Sequence, residues 1–143
     1  MTECVVAQKV SERDLARFTC TQEYHRHNQY LFPLLLLTDG CHFLRERAQC
    51  YWLFDAIGSH LFHNSRLERY RQRQQGMFWE LTVEADKSAK LTCYRDTDEE
   101  IDRQEIAYTD IGSYTDIKTV RIWTFPTFLE GQTVWVCLIP SEY

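Results

Sequence analysis

The sequence predicts an α+β fold, with N-terminal helices packed on one face of a four- to five-stranded antiparallel sheet. Three observations predict it. Leu53, Phe54, Ile57 and Leu61 recur at helical spacing in the first half. Past Gly76 the period changes to two, and Trp79, Leu81, Val83 and Ala85 alternate with Glu80, Thr82 and Glu84. Short turns separate the strand-like runs that follow.

Ser11 opens the first helix, with Asp14 three residues on as an acidic capping box; Leu15 and Phe18 share one face. Thr19 to Glu23 reads as a turn leading into Tyr24–His27. Thr38 is the next N-cap, with Asp39 in the first turn where the helix dipole favours negative charge. Phe43, Leu44 and Ala48 face the core there, and Arg45, Glu46 and Arg47 read as solvated. The following helix covers Tyr51 to Phe62, with Asp55 and Ser59 off its apolar stripe. After the Trp79–Ala85 strand come a turn at Asp86–Ser88 and a second strand over Ala89–Tyr94. A weaker strand spans Ile101–Tyr108, with Ile106 and Tyr108 on one face, and a fourth spans Val120–Phe125. A turn at Glu130–Gln132 leads into Thr133–Ile139, which is apolar on both faces and so central. Pro140 ends it.

A chain of 143 residues reads as one domain, 1–143. Its helical half covers about 11–63, a basic linker about 64–76 and the sheet half about 77–139. Five Gly and three Pro argue against disorder or a repeat array. The net charge of −5 disfavours a dedicated nucleic-acid binder. The N-terminal residues lack the order of a signal peptide, and the apolar run Leu31–Leu37 is too short for a bilayer and holds Pro33. The expectation is a cytoplasmic protein without a membrane partner. Six cysteines (Cys4, Cys20, Cys41, Cys50, Cys93 and Cys137) include no Cys-x-x-Cys pair and read as reduced thiols serving as small apolar groups.

His25 and His27 flank Arg26, and a His-x-His pair on a strand turns both rings one way, half of a metal site. His60 and His63 share a helix face. Nothing in the sequence joins the pairs, so no metal and no cofactor is expected. Asp55, set among Tyr51, Trp52 and Phe54, is the weak catalytic candidate together with His25 and His27. Its plainer role is to accept hydrogen bonds from a neighbouring element. Arg66, Arg69, Arg71 and Arg73 against Glu68 give a local charge of +3, and Tyr70 among them suits phosphate pairing and base stacking. The stretch Asp96–Glu105 opposes it, with six acids against Arg103. The two segments read as solvated or as meeting each other, within a chain or across a dimer. No phosphate loop, nucleophile elbow or calcium loop occurs.

The runs Leu35-Leu36-Leu37-Thr38-Asp39-Gly40, Tyr51-Trp52-Leu53-Phe54-Asp55-Ala56-Ile57, Trp79-Glu80-Leu81-Thr82-Val83, Gln104-Glu105-Ile106-Ala107-Tyr108-Thr109-Asp110 and Pro140-Ser141-Glu142-Tyr143 together resemble a family of small bacterial proteins known as a domain of unknown function, often on plasmids and phages. The resemblance spans about Phe18 to Tyr143. Asn64–Gln75 is longer and more basic than the family pattern, and Phe128–Gln132 is extended. The resemblance implies a bacterial or mobile-element origin and brings no activity, cofactor or functional residue with it.

The reading adopted is a non-catalytic protein-interaction module, binding another protein or its own copy, since Tyr, Trp and Arg anchor interfaces. Modulation of a host defence complex fits such an origin by analogy. The alternative is a nucleic-acid or nucleotide binder using Arg66, Arg69, Tyr70, Arg71 and Arg73. A second alternative is a small hydrolase, which needs Asp55 to meet His25 or His27 in a cleft.

Overall fold

Ser11 closes a complete capping box. Its hydroxyl accepts from the Asp14 N–H at 3.2 Å, and the Asp14 carboxylate accepts from the Ser11 N–H at 2.9 Å. The computed structural model describes residues 9–96 and 98–143, so Cys4 and Thr97 lie outside the described residues. The helix so capped, α1, is short (Glu12–Ala16). Two strands follow, β1 (His25–Asn28) and β2 (Phe32–Leu37), and then α2 (Asp39–Arg47), α3 (Tyr51–His63) and α4 (Glu68–Gln72). The chain ends in β3 (Met77–Val83), β4 (Ala89–Tyr94), β5 (Glu100–Ile106), β6 (Thr119–Leu129) and β7 (Gln132–Leu138). Short 3₁₀ turns cover Ile111–Ser113 and Pro140–Glu142.

All seven strands form one sheet in the order β1-β2-β7-β6-β3-β4-β5. Every neighbouring pair is antiparallel except β2 and β7, which run parallel with Leu35 beside Trp135 and Leu37 beside Cys137. The α+β class holds, but the sheet is larger than the expected four or five strands, and it is mixed. The two extra strands lie in the half expected to be helical. The run Phe32–Leu37 hides its identity because both of its faces are covered. Leu35 and Leu37 join the core beneath the helices, and Leu36 packs with Val134 and Val136 on the opposite side. A strand buried on both faces shows no alternation, so periodicity cannot separate it from a helix. Residues 64–76, expected as linker, contain α4, whose Tyr70 enters the core. Tyr108, expected on a strand face, lies past the end of β5 and is exposed.

The helices lie over one face of the sheet. Leu53, Phe54, Ile57 and Leu61 of α3 meet Trp79, Leu81, Leu91 and Ile122 of the strands in one core, as the helical stripe predicts. Trp79 is buried whole, and its indole N–H donates to the Thr124 hydroxyl at 3.0 Å, which in turn donates to the Met77 carbonyl at 2.8 Å. Cys41, Cys50, Cys93 and Cys137 are free thiols in this core, and burial pushes Cys50 up to about 12; Cys20 is exposed. The β6–β7 hairpin turns at Glu130 and Gly131, both at positive φ (48° and 81°), as a two-residue hairpin turn requires. No helix among the described residues is long and apolar enough to cross a membrane.

The chain's last turn fastens the sheet to α2. Thr38 caps α2, its hydroxyl accepting from the Cys41 N–H. That hydroxyl donates to Glu142 Oε1 at 2.5 Å, and Glu142 also accepts the N–H groups of Gly40 (3.0 Å) and Ile139 (3.1 Å). A carboxylate thus sits on the positive end of α2, 104 residues along the chain from the cap it serves. Glycine is needed at position 40 because a Cβ there would lie 2.7 Å from Glu142 Oε1 and 2.8 Å from Ile139 Cδ1.

Two substitutions probe this junction. Glu142→Ala should cost about 2 kcal/mol by leaving three donors unmet. Gly40→Ala should destabilise by about 1–2 kcal/mol through crowding, although alanine favours a helix. Urea unfolding of the double variant should show a cost smaller than the two single costs added, because truncating Glu142 clears the nearest obstacle; strict additivity contradicts the contact.

Candidate functional site

The polar residues singled out by type gather in two places. The larger cluster lies where β1 meets α2 and the start of α3, and its centre is Arg45. Expected as solvated, Arg45 is 5% exposed. One of its terminal nitrogens, Nη1, donates to His27 Nδ1 at 3.0 Å and to the Arg26 carbonyl at 3.4 Å. The other, Nη2, donates to His42 Nδ1 at 3.1 Å and to Glu46 Oε2 at 3.0 Å. The guanidinium lies 4.8 Å from the centre of the Tyr51 ring, and the Tyr51 hydroxyl donates to Glu46. Asp39, His42, Arg45 and Glu46 recur at three- and four-residue intervals, so α2 turns them toward the same neighbours.

A guanidinium only donates, so Nδ1 of both His27 and His42 must be an unprotonated acceptor. Both rings are therefore neutral, each with its proton on Nε2. His27 passes that proton toward Asp55 Oδ1 at 2.7 Å. His25 binds Asp39 Oδ1 through Nε2 at 2.8 Å and stacks on His42, with ring centres 4.1 Å apart and planes 6° from parallel. Asp39 also accepts from the Gln22 N–H at 2.9 Å, while its own N–H donates to Thr21 Oγ1 at 2.9 Å, which fastens residues 21–22 to α2.

The proton affinities follow these contacts. Burial holds His27 below the ordinary histidine value against the pull of Asp55, and Arg45 adds to the depression. Burial likewise lowers His42, with His25 and Arg45 acting in the same direction. The Gln22 N–H and then His25 hold Asp39 below the usual carboxylate range. The Tyr51 hydroxyl lowers Glu46, and that same bond raises Tyr51.

Chemically, this is a clamp. The His27 side chain is 2% exposed and both of its ring nitrogens are engaged, so it cannot take a proton from a bound molecule. Asp55 meets His27 at the surface, half-exposed, as an acceptor holding β1 to α3. The rings of His25 and His42 meet face to face, and among the described residues no three His, Cys, Asp or Glu side chains converge as a metal set. His60 has a parallel role. Its Nε2 bonds Gln104 Oε1 at 2.6 Å, Asn64 donates to its Nδ1 at 2.9 Å, and Asn64 also donates to the buried Asp102, which ties α3 to β5. His63 is exposed, with its ring 6.2 Å from Phe32.

The arginine segment is the second place. Tyr70 is buried and so offers no open ring face; Arg69 donates to its hydroxyl at 2.7 Å and lies over its ring. Arg71 pairs with Glu68 at 3.9 Å, and Arg66 reaches Asp102 at 3.6 Å. The basic and acidic segments therefore touch within one chain. The Arg73 guanidinium has no hydrogen bond or ion pair among the described residues.

Sequence reasoning missed Arg45, His42, Glu46, Asn64 and Glu142. The polar spacing on α2 was the available signal for the first three. The chain belongs to the family of unknown function DUF6876, which matches it over residues 9–143. No curated protein and no solved structure matches it.

The clamp makes the fold acid-sensitive. In the unfolded chain His27 and His42 return to about 6.5, above their folded values, so the unfolded state binds more protons as pH falls. Their contribution is complete above about pH 6.5 and is lost below it. Thermal unfolding should show a midpoint falling from pH 7.5 to pH 5. The paired variant His27→Gln and His42→Gln, which keeps polar groups that do not titrate, should flatten that slope; an unchanged slope contradicts the assignment.

Proposed function

We propose that this member of the family is a non-catalytic protein-interaction module of bacterial or mobile-element origin. One observation carries the reading: of the large apolar side chains that stand in water, Tyr30, Leu31 and Phe128 gather at one end of the sheet, while Tyr108 and Tyr143 stand singly elsewhere. Tyr30 and Leu31, on the turn between β1 and β2, are 90% and 63% exposed, and Phe128, beside the β6–β7 turn, is 72% exposed. Because β2 and β7 run parallel, their starting ends lie together, and so do the turns that precede them. Polar residues would serve a turn equally well, and fully burying each such side chain is worth about 1.5–3 kcal/mol. Exposed apolar groups gathered this way mark contact surfaces. The engaged nitrogens of His27 and the pairing of Arg66, Arg69 and Arg71 leave recognition by surface as the better account of the remaining chemistry.

The triple variant Tyr30→Ser, Leu31→Ser and Phe128→Ser tests this. Its circular dichroism and unfolding midpoint should match the wild type, because none of the three sits in the core. Immobilised wild-type protein should retain partners from a bacterial lysate that the variant loses, identified by mass spectrometry. Equal retention by both proteins, or turnover of a substrate by the purified chain, overturns the reading.

A further inference from the structure

A seven-stranded open sheet has two edges, and this one treats them differently. The β1 edge is four residues long, its register breaks between Arg26 and Asn28, and the Arg26 carbonyl receives Arg45. Shortness, irregularity and side-chain cover are how an edge is shielded from pairing. The β5 edge is longer, with seven residues, and its irregularity is confined to its first end. From Ile106 opposite Ala89 to Asp102 opposite Cys93 it keeps unbroken register with β4, and the register shifts only between Cys93 and Tyr94, at the Glu100 end. Among the described residues, no backbone group of Glu100–Ile106 bonds outside the β4 ladder.

The side chains on this edge carry both signs, with Glu100, Asp102 and Glu105 against Arg103. On the face away from the helices, Arg103 stands opposite Thr92 and Glu105 opposite Lys90. Both residues are exposed. An edge charged with one sign would repel a copy of itself; here opposite charges sit two residues apart.

We propose that β5 pairs antiparallel with β5 of a second copy, in the register centred on Gln104, so that two sheets become one. That twofold arrangement sets Arg103 against the second copy's Glu105, and Glu105 against the second copy's Arg103. It creates two cross-strand ion pairs, as an isologous contact requires. The neighbouring registers are worse: centring on Arg103 opposes arginine to arginine, and centring on Glu105 opposes glutamate to glutamate. Arg103 already holds Glu100 at 2.8 Å, and its five-donor fork can bridge Glu100 and the second carboxylate together. On the helix side, Asp102 and Gln104 are held by Asn64, His60 and Arg66, so they meet the copy preorganised. Gln104 accepts from His60, and its amide N–H groups have no partner among the described residues, leaving them free to face the second Gln104.

This inference rests on the interaction-module reading and names one partner for it. It uses a surface apart from the Tyr30, Leu31 and Phe128 end, and its test needs only the purified chain. Sedimentation velocity over a concentration series should show the wild type passing from monomer to dimer. Arg103→Glu and Glu105→Arg should each weaken the dimer about tenfold or more, because each turns two attractive pairs into two repulsive ones. The double variant Arg103→Glu with Glu105→Arg restores opposite charges and should recover the dimer. Hydrogen exchange should show the outward amides of β5 protected only at concentrations where the dimer forms, which reads the contact without any substitution. A wild type monomeric throughout, a dimer indifferent to the single reversals, a double variant that stays apart, or edge amides that exchange alike at all concentrations each overturns the proposal. Indifference to the single reversals and edge amides that exchange alike place any association on another surface.

Discussion

The parallel pairing of β2 with β7 is the constraint on which this fold turns. Two parallel neighbours cannot be joined by a hairpin, because the chain must travel back before it can run the same way again. Here the return path carries three helices and four antiparallel strands. Those helices cover one face of the sheet, and the strands widen it past the pair. The pairing also fixes what lies at each end. At the starting ends, the β1–β2 turn comes beside the β6–β7 turn. At the finishing ends, Thr38 meets the last residues of the chain, and its N–H extends the ladder to the Cys137 carbonyl at 3.0 Å. The motifs Thr38-Asp39-Gly40 and Pro140-Ser141-Glu142-Tyr143, distant in sequence, are two halves of one junction. The carboxylate of one caps the helix of the other, and Gly40 leaves the room it needs.

Arg45 shows how a charge is tolerated inside such a junction. A buried guanidinium is costly unless its donors are filled. Its Nη groups reach four acceptors on β1 and α2, and only Nε lacks a partner. Two of those acceptors are imidazoles, which accept only while neutral. Glu46 supplies the one formal counter-charge, steadied by Tyr51, and the Tyr51 ring adds a polarisable face. Protonating either histidine would remove an acceptor and place a second cation beside the guanidinium. The same groups that hold β1 to α2 therefore tie that contact to proton concentration.

The helical half was legible wherever one face met water and the other met the core. The stripe Leu53, Phe54, Ile57 and Leu61, the Ser11 box and the Thr38 cap all follow from local spacing, and the alternation in Trp79–Val83 places β3. Local rules fail where a long-range partner decides the outcome. The run Leu34–Leu37 carries no alternation because Leu36 is buried beside Val134 and Val136 on one side while the helices cover the other, and β7 is about a hundred residues away. Arg45 follows the pattern of a solvated helix residue until β1 brings the His27 imidazole and the Arg26 carbonyl to it. Tyr70, set among arginines, looks like a stacking ring, yet α4 turns it into the core. The candidate residues His25, His27 and Asp55 were visible by type, and their union depended on the same tertiary pairing.

The polar contacts between elements share a pattern. His27 with Asp55, His60 with Gln104, Arg66 with Asp102 and Glu142 with Gly40 each join segments far apart along the chain. Residue types that suggest catalysis act here as cross-ties, and a cross-tie with its donors and acceptors filled has little capacity left for a ligand. Reactivity requires the opposite condition, a group whose best partner is missing until the ligand arrives. What this fold leaves incomplete is of another kind: apolar side chains at one end of the sheet and a row of backbone groups along one edge. Apolar surface is completed by shape, and an open edge by another strand. In the reading proposed above, both are completed by protein.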